Sequence, residues 1–286
     1  MDINNLKPKI LAVWATAKVI VRRYGHTVKY AKHIAAFAMK QELQLTDENL
    51  SLFIGNNQIG KELGYKKRPH PSTFSKVRER TDPRIFEDVY NLSVQLIMKG
   101  KQLRLIAQDS TDVSAYSYDD KDAKWGHRTP SKKEQIRNGN KIGKELFFGY
   151  KPHVACDAET EIPIAVAIVP ANRHDKRLFG TLFDFVWNGF TVNRDAKYLS
   201  DSALDSSDIK EELRYYGIKP VIAINGRGYY KSTIPKDPEY GKRWAIERIF
   251  SRLKEVFGLS KNRFVGINRV AIHIYSCFLA YLIRYA

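Results

Sequence analysis

Three acidic residues stand where a chemical role would need them. Asp109 closes the apolar stretch Leu103–Asp109, Asp201 directly follows Tyr198-Leu199-Ser200, and Glu247 lies in a stretch with helical spacing. At about 100° per residue, Tyr240, Arg243, Glu247 and Lys254 fall on one stripe. Ile246, Ile249, Leu253, Val256 and Phe257 fall on the opposite side. Such a helix buries one face and presents a carboxylate flanked by two cations and a phenol. Acids at strand ends project toward the place where open α/β sheets bind ligands. Together, three carboxylates suit hard divalent cations, Mg²⁺ or Mn²⁺. Two such ions about 3.5–4 Å apart activate the attacking oxygen and stabilise the leaving oxygen of phosphoryl transfer. Arg243 and Lys254 would meet phosphate charge beside the metals. Taken singly, each acid is ordinary, since an Asp after a strand commonly opens a turn and a charged stripe is commonly a wet face. Asp112 and Asp205 are close competitors; Asp201 is preferred because it directly follows its strand, leaving Asp205 to cap the next helix through the Ser207 N–H.

Charge narrows the partner. Among 286 residues, 48 Lys and Arg against 31 Asp and Glu leave a net charge of +17, which calls for a polyanion. Hydrophobic residues at 43% and aromatics at 12% fit a globular chain rather than a disordered one. A membrane surface is disfavoured. The longest apolar run, Val270 to Ile283, is interrupted by His273 and Ser276 and is too short to span a bilayer, and Met1 to Leu6 is polar. Double-stranded DNA is the expected partner, with no membrane. Cys156 and Cys277 lie far apart in apolar stretches, which predicts reduced core thiols in a cytoplasmic, nucleoid-associated protein.

The elements that must position these residues fall into two regions. Residues 1–100 read as helical, with Pro8–Arg23 and Thr27–Leu43 separated by the breaker Gly25. Thr81 or Asp82 caps a further helix that has Pro83 in its first turn and ends at Gly100. Gln58–Tyr65 predicts a short helix closed by Gly64, and Ser72 caps a second carrying Thr73, Ser75, Lys76, Arg78 and Arg80. That pair has the outline of a helix-turn-helix whose second helix enters the major groove, its start on base edges and its cations on phosphates. From residue 101 the order changes to strands at Leu103–Asp109, Phe147–Asp157, Ile162–Val169, a short one ending at Ser200, and Lys219–Asn225. Helices intervene at Lys176–Trp187 and Ser207–Tyr216, and two more follow from about Glu239. The expected fold class is mixed α/β: a five-stranded mixed sheet flanked by helices over 101–286, preceded by an all-helical, DNA-end-binding region over 1–100. Asp120–Lys151 carries nine Lys or Arg against four acids, with glycines at 126, 139, 143 and 149. It reads either as a solvated loop or as one that tracks a phosphate backbone.

The spacing Tyr240-(2)-Arg243-(3)-Glu247-(6)-Lys254 resembles the signature of the insertion-sequence DDE transposases of bacteria and archaea. Asp109-Ser110-Thr111 resembles the end of that family's first strand. Gly149-Tyr150-Lys151-Pro152-His153 with Asp157 looks like its second strand, and Pro170-Ala171-Asn172-Arg173-His174-Asp175 like its Ala-Asn-x-His-Asp turn. One tract departs: Asp201-Ser202-Ala203-Leu204-Asp205-Ser206 stands where the family has Asp-x-Gly-Tyr-Asp-Ser. Over roughly residues 100 to 280 the resemblance implies a ribonuclease-H-like catalytic domain. Asp109, Asp201 and Glu247 would then be the catalytic ligands of two Mg²⁺ or Mn²⁺ ions. Tyr240, Arg243, Lys254, Lys151, His153 and Asn172 would face DNA. The implied reaction is cleavage at element ends and joining of the 3′-hydroxyl to target DNA, in a homodimer or larger synaptic assembly. A metal-dependent nuclease that cuts without joining, and a non-catalytic DNA-binding protein derived from a transposase, are the alternatives.

Overall fold

A computed structural model describes residues 3–128, 136, 145–226 and 233–286. The chain forms two compact units, Met1–Lys99 with Ser251–Lys261 and Asn268–Ala286, and Gly100–Phe250 with Asn262–Ile267. The first unit is built of helices: α1 (Ile3–Arg23), α2 (Ala31–Glu42), α3 (Asp47–Asn56), α4 (Gln58–Glu62), α5 (Pro71–Arg80) and α6 (Pro83–Ile97). Local chemistry sets their starts. Thr46 Oγ accepts the Asn49 N–H at 3.1 Å to open α3, and the Asp82 carboxylate accepts the Arg84 N–H at 3.0 Å to open α6. The start of α5 differs from the expected Ser72 cap. His70 Nδ1 accepts the Ser72 N–H at 3.2 Å, and Pro71 is the first helical residue. Proline fits there because its φ is already helical and it has no N–H to satisfy. Gln58–Glu62 ends before Gly64, which takes a φ of +88°.

The second unit carries one seven-stranded sheet: β1 (Gln102–Ser110), β2 (Val113–Ser114), β3 (Lys124–Arg128), β4 (Glu145–Asp157), β5 (Ile162–Pro170), β6 (Thr191–Ser200) and β7 (Lys219–Ile222). Its main run is β5-β4-β1-β6-β7, antiparallel as far as β1 and parallel from β1 to β7. α7 (Asp175–Gly189) connects β5 to β6, and α8 (Ser207–Tyr215) connects β6 to β7. Tyr198 on β6 packs edge-on against Phe179 and Phe183 of α7. Strand side chains alternate, so Tyr198 and its partner Ile106 define the α7 side, while Asp109 points to the other side.

Five of the strands follow the apolar runs of the sequence; β2 and β3 are additional. Both pair with the outer half of β4, where Gly149 faces Ser114 on one edge and Lys124 on the other. A Cβ at Gly149 would stand 2.2 Å from the Val113 carbonyl oxygen, and one at Gly126 would stand 2.4 Å from that of Ala171. Both positions need glycine for close backbone approach. The basic segment thus holds strand at Lys124–Arg128 and again from Glu145, and residues 129–135 and 137–144 lie outside the described residues. β6 is ten residues long rather than short, rejoining β1 at Gln102 and Leu103 across a register shift. β7 stops at Ile222, three residues before the expected end at Asn225.

After a single 3-10 turn at Tyr240–Arg243 come α9 (Trp244–Glu255) and α10 (Ile267–Tyr285). Every residue from Val270 to Ile283 is buried. A helix apolar on all sides must be enclosed, and α10 is held by the helical unit, with Tyr275 and Phe278 ring to ring with Tyr90 at 5.9 and 5.6 Å. Residues 251–261 and 268–286 thus join the first unit, unlike the expected division into 1–100 and 101–286. Among the described residues no helix is long and apolar enough to cross a membrane.

Candidate active site at the ends of β1 and β6

The parallel register of β1 and β6 pairs Ala107 with Leu199. Two residues further along, on the same face, it sets Asp109 beside Asp201. The Asp109 side chain is 23% exposed, and its Oδ1 accepts the Ser110 N–H at 2.7 Å. Burial, then the neighbouring Asp201 charge, push the Asp109 carboxyl up to about 7. Asp201 Oδ1 accepts the Ala203 N–H at 2.8 Å and opens a 3-10 turn, Ser202–Leu204. Leu204 is buried in that turn. Asp205 is turned elsewhere: it pairs with Lys210 and accepts the Asn225 N–H at 2.9 Å, rather than capping α8. Asp112 pairs with Arg128 at 3.5 Å.

Glu247 stands in the first turn of α9, four residues after Arg243. The Arg243 guanidinium donates to Glu247 Oε1 at 2.6 Å and lies 3.6 Å from Asp109 Oδ2. One cationic side chain therefore bridges two of the three acids. Tyr240 and Trp244 flank it, their ring centroids 6.0 and 5.5 Å from its central carbon. Burial raises the Tyr240 phenol while Arg243 acts against that shift. Among the described residues no three His, Cys, Asp or Glu side chains converge closely enough to hold a metal. The aspartate pair does fit a hard divalent cation, since both offer oxygens and their mutual repulsion is relieved by positive charge. Glu247 is engaged by Arg243 and does not complete that set.

Residues 100–283 match the family model described as the transposase DDE domain. The chain belongs to the DDE transposase family. No curated protein matches the transposase. Among solved structures, a cryo-EM structure of the piggyBac transposase synaptic complex with hairpin DNA is similar at a TM-score of 0.47 and 10% identity, covering 90% of this chain and 66% of that one.

The other residues expected at DNA are placed unevenly in this transposase. His153 is fully buried on the α7 side of the sheet, opposite Ser110 in register, with Nδ1 3.0 Å from Asp175 Oδ1. Lys151 reaches the same acid at 3.2 Å. Burial opposes the charge of Asp175, but His153, Lys151 and Ser110 hold its carboxyl well below the usual range. Asp175 opens α7, so this network fixes that helix to β4 beside the end of β1. The acid that holds Lys151 and His153 inward, Asp175, stood in the sequence only as the end of the turn before α7. Asn172 is exposed in the turn before α7, and Lys254 sits half-buried in the last turn of α9, seven residues after Glu247. On α5, Lys76, Arg80, Ser72 and Ser75 are exposed, whereas Arg78 is buried and donates to both oxygens of Asp47 at 2.7 and 2.8 Å. Arg78 thus ties α5 to α3 rather than facing outward.

Proposed function

We propose that the transposase cuts DNA at element ends and joins the freed 3′-hydroxyl to target DNA, with Asp109, Asp201 and Glu247 as ligands of two Mg²⁺ or Mn²⁺ ions. The observation that carries this reading is the register that sets Asp109 beside Asp201 on one sheet face, with the Asp109 carboxyl raised. Two acids so placed favour a cation. Three antiparallel strands followed by two parallel ones support a ribonuclease-H-like catalytic domain for the same unit. When bound, the ions supply activation of the attacking oxygen and stabilisation of the leaving oxygen.

The chain's own residues prepare that chemistry. Arg243 neutralises Glu247 and Asp109 while DNA is absent; on DNA its planar fork turns to a phosphate and releases Glu247 to the aspartates. Ser110, His153, Lys151 and Asp175 hold the end of β1 against α7, which fixes Asp109 to the precision a metal ligand needs. The acids themselves repel DNA, so binding energy comes from basic surface elsewhere. Tyr240, Asn172 and Lys254 engage the cut end, and α5 reads the element's terminal repeats through Thr73 and Ser75, with Lys76 and Arg80 on phosphates. Two ends held together require a dimer or larger synaptic assembly.

The test is a strand-transfer assay with a labelled 3′-hydroxyl DNA end, a plasmid target and Mg²⁺. Joined product is expected. Cutting alone makes the chain a nuclease, and binding alone makes it a DNA-binding module.

A further inference from the structure

The outer half of β4 carries an aromatic face that the proposed reaction does not use. Trp125 on β3 and Phe148 on β4 are register partners, so their rings share one side, 5.5 Å apart. Tyr118 stacks on Trp125 at 6.0 Å and 24° and lies 5.7 Å from Phe148. Tyr118 is 80% exposed, Tyr116 63% and Trp125 55%. A folded chain rarely leaves so much clustered aromatic surface in water without a ligand for it. The rings border a hollow of about 290 Å³, which Phe147 and Arg128 also line. That is just below the range that takes drug-sized ligands, about 300–1,000 Å³, and suits one planar group better than a protein element.

Two further observations say what the planar group is. In the sequence, residues 129–144 lie between Arg128, the last residue of β3, and Glu145, the first of β4. That stretch has five Lys or Arg and a single Glu, so its charge is complementary to a phosphate backbone. Phe148 also lies six residues along β4 from Val154, the register partner of Asp109, and even-numbered residues of the strand share its face. At about 3.3 Å per residue the aromatic face is about 20 Å from the aspartates, on the same side of the sheet.

We propose that Tyr118, Trp125 and Phe148 form a stacking platform for an unpaired base of the DNA strand engaged at Asp109 and Asp201. The proposal rests on the transposase reading above. Any base presents a π-face, so the platform selects single-stranded character rather than sequence.

The experiment compares binding of the full chain, at one salt concentration, to a blunt duplex and to the same duplex with a short unpaired tail containing 2-aminopurine. The intact chain is expected to favour the tailed duplex and to quench the 2-aminopurine. Trp125→Ala and Tyr118→Ala should each lower affinity for the tailed duplex about tenfold while changing blunt-duplex affinity less than about twofold. Trp125→Phe, which keeps a ring, should retain most of the preference, and Tyr118→Ala carries the test if Trp125→Ala does not fold. Equal affinity of the intact chain for both DNAs, or equal losses on both, overturns the platform and leaves the transposase reading standing. Binding to neither DNA overturns the transposase reading itself. An unchanged tail preference in Trp125→Ala, with altered sedimentation of the DNA-free chain, assigns the face to contact between copies and overturns the platform.

Discussion

An aspartate whose carboxyl is raised from 3.8 to about 7 opposes folding wherever it is ionised. The folded chain holds the Asp109 proton more tightly than the unfolded chain does, so the cost is absent near pH 4 and complete above pH 7. Asp109→Asn should therefore abolish cleavage yet stabilise the metal-free protein at pH 8 by about 1–3 kcal/mol, an advantage that vanishes near pH 4. Urea unfolding at the two pH values checks this, and an equal gain at both contradicts it. Asp201→Asn and Glu247→Gln should also abolish cleavage at saturating Mg²⁺, whereas Asp205→Asn should keep it and cost about 1 kcal/mol of stability, because Asp205 holds Lys210 and the Asn225 N–H. Cleavage lost in Asp205→Asn and kept in Asp201→Asn would move the site by one turn. The two cations of α5 should separate cleanly. Arg78→Ala leaves Asp47 with Lys40 alone and should cost about 3 kcal/mol with an unchanged salt dependence of DNA binding. Lys76→Ala should leave the melting temperature alone and lower the salt slope by about one. The inward turn of Arg78 was readable in principle, since Phe74 and Val77 share its helix face. So was the Arg243–Glu247 pair at i, i+4. The Arg243 contact with Asp109 was not, because it depends on where the turn Tyr240–Arg243 lies against β1 and β6.

Strands that bury both faces announce themselves as apolar runs, and β1, β4 and β5 were legible for that reason. β2 has two residues and β3 reads Lys-Trp-Gly-His-Arg, with no alternation to mark it. Their existence depends on pairing to β4 across many residues, which no local pattern encodes. α3 carried its own sign in Thr46-Asp47-Glu48, a cap followed by acids in the first turn, yet its apolar face is short. At this scale the glycines give the sharpest test. Gly149→Val places a side chain 2.2 Å from the Val113 carbonyl oxygen, and is expected to cost at least about 2 kcal/mol and to detach β2. Gly180, inside α7, has nothing within 4 Å of an added Cβ, so Gly180→Ala should raise stability by about 1 kcal/mol. Thermal unfolding of both variants decides the matter; similar effects would refute the distinction.

In the helical unit, burial pushes His33 and His273 down to about 4 from 6.5. Both are held neutral, His33 accepting or donating with the Tyr65 hydroxyl at 2.9 Å and His273 with Gln41 at 3.2 Å. Folded pKa values below the unfolded ones mean full stability above pH 6.5 and loss as pH falls toward 4, on the order of 2–3 kcal/mol for each. The transition of this unit should weaken across that window, and His33→Gln should flatten the dependence by about half. A flat profile in the unaltered chain would contradict the neutral assignment. The same unit is discontinuous in the chain, drawing on Met1–Lys99 and on α10, whose buried stretch runs to Ile283. On the ribosome its first part waits while residues 100–285 are made, roughly 10–40 s at about 5–20 residues per second. During that interval Tyr90 and its neighbours lack the helix that covers them, whereas the sheet already has nearly all of its strands' partners. The sheet unit is thus the part that matures first, and nascent chains released early carry the proposed metal ligands beside an unfinished helical unit.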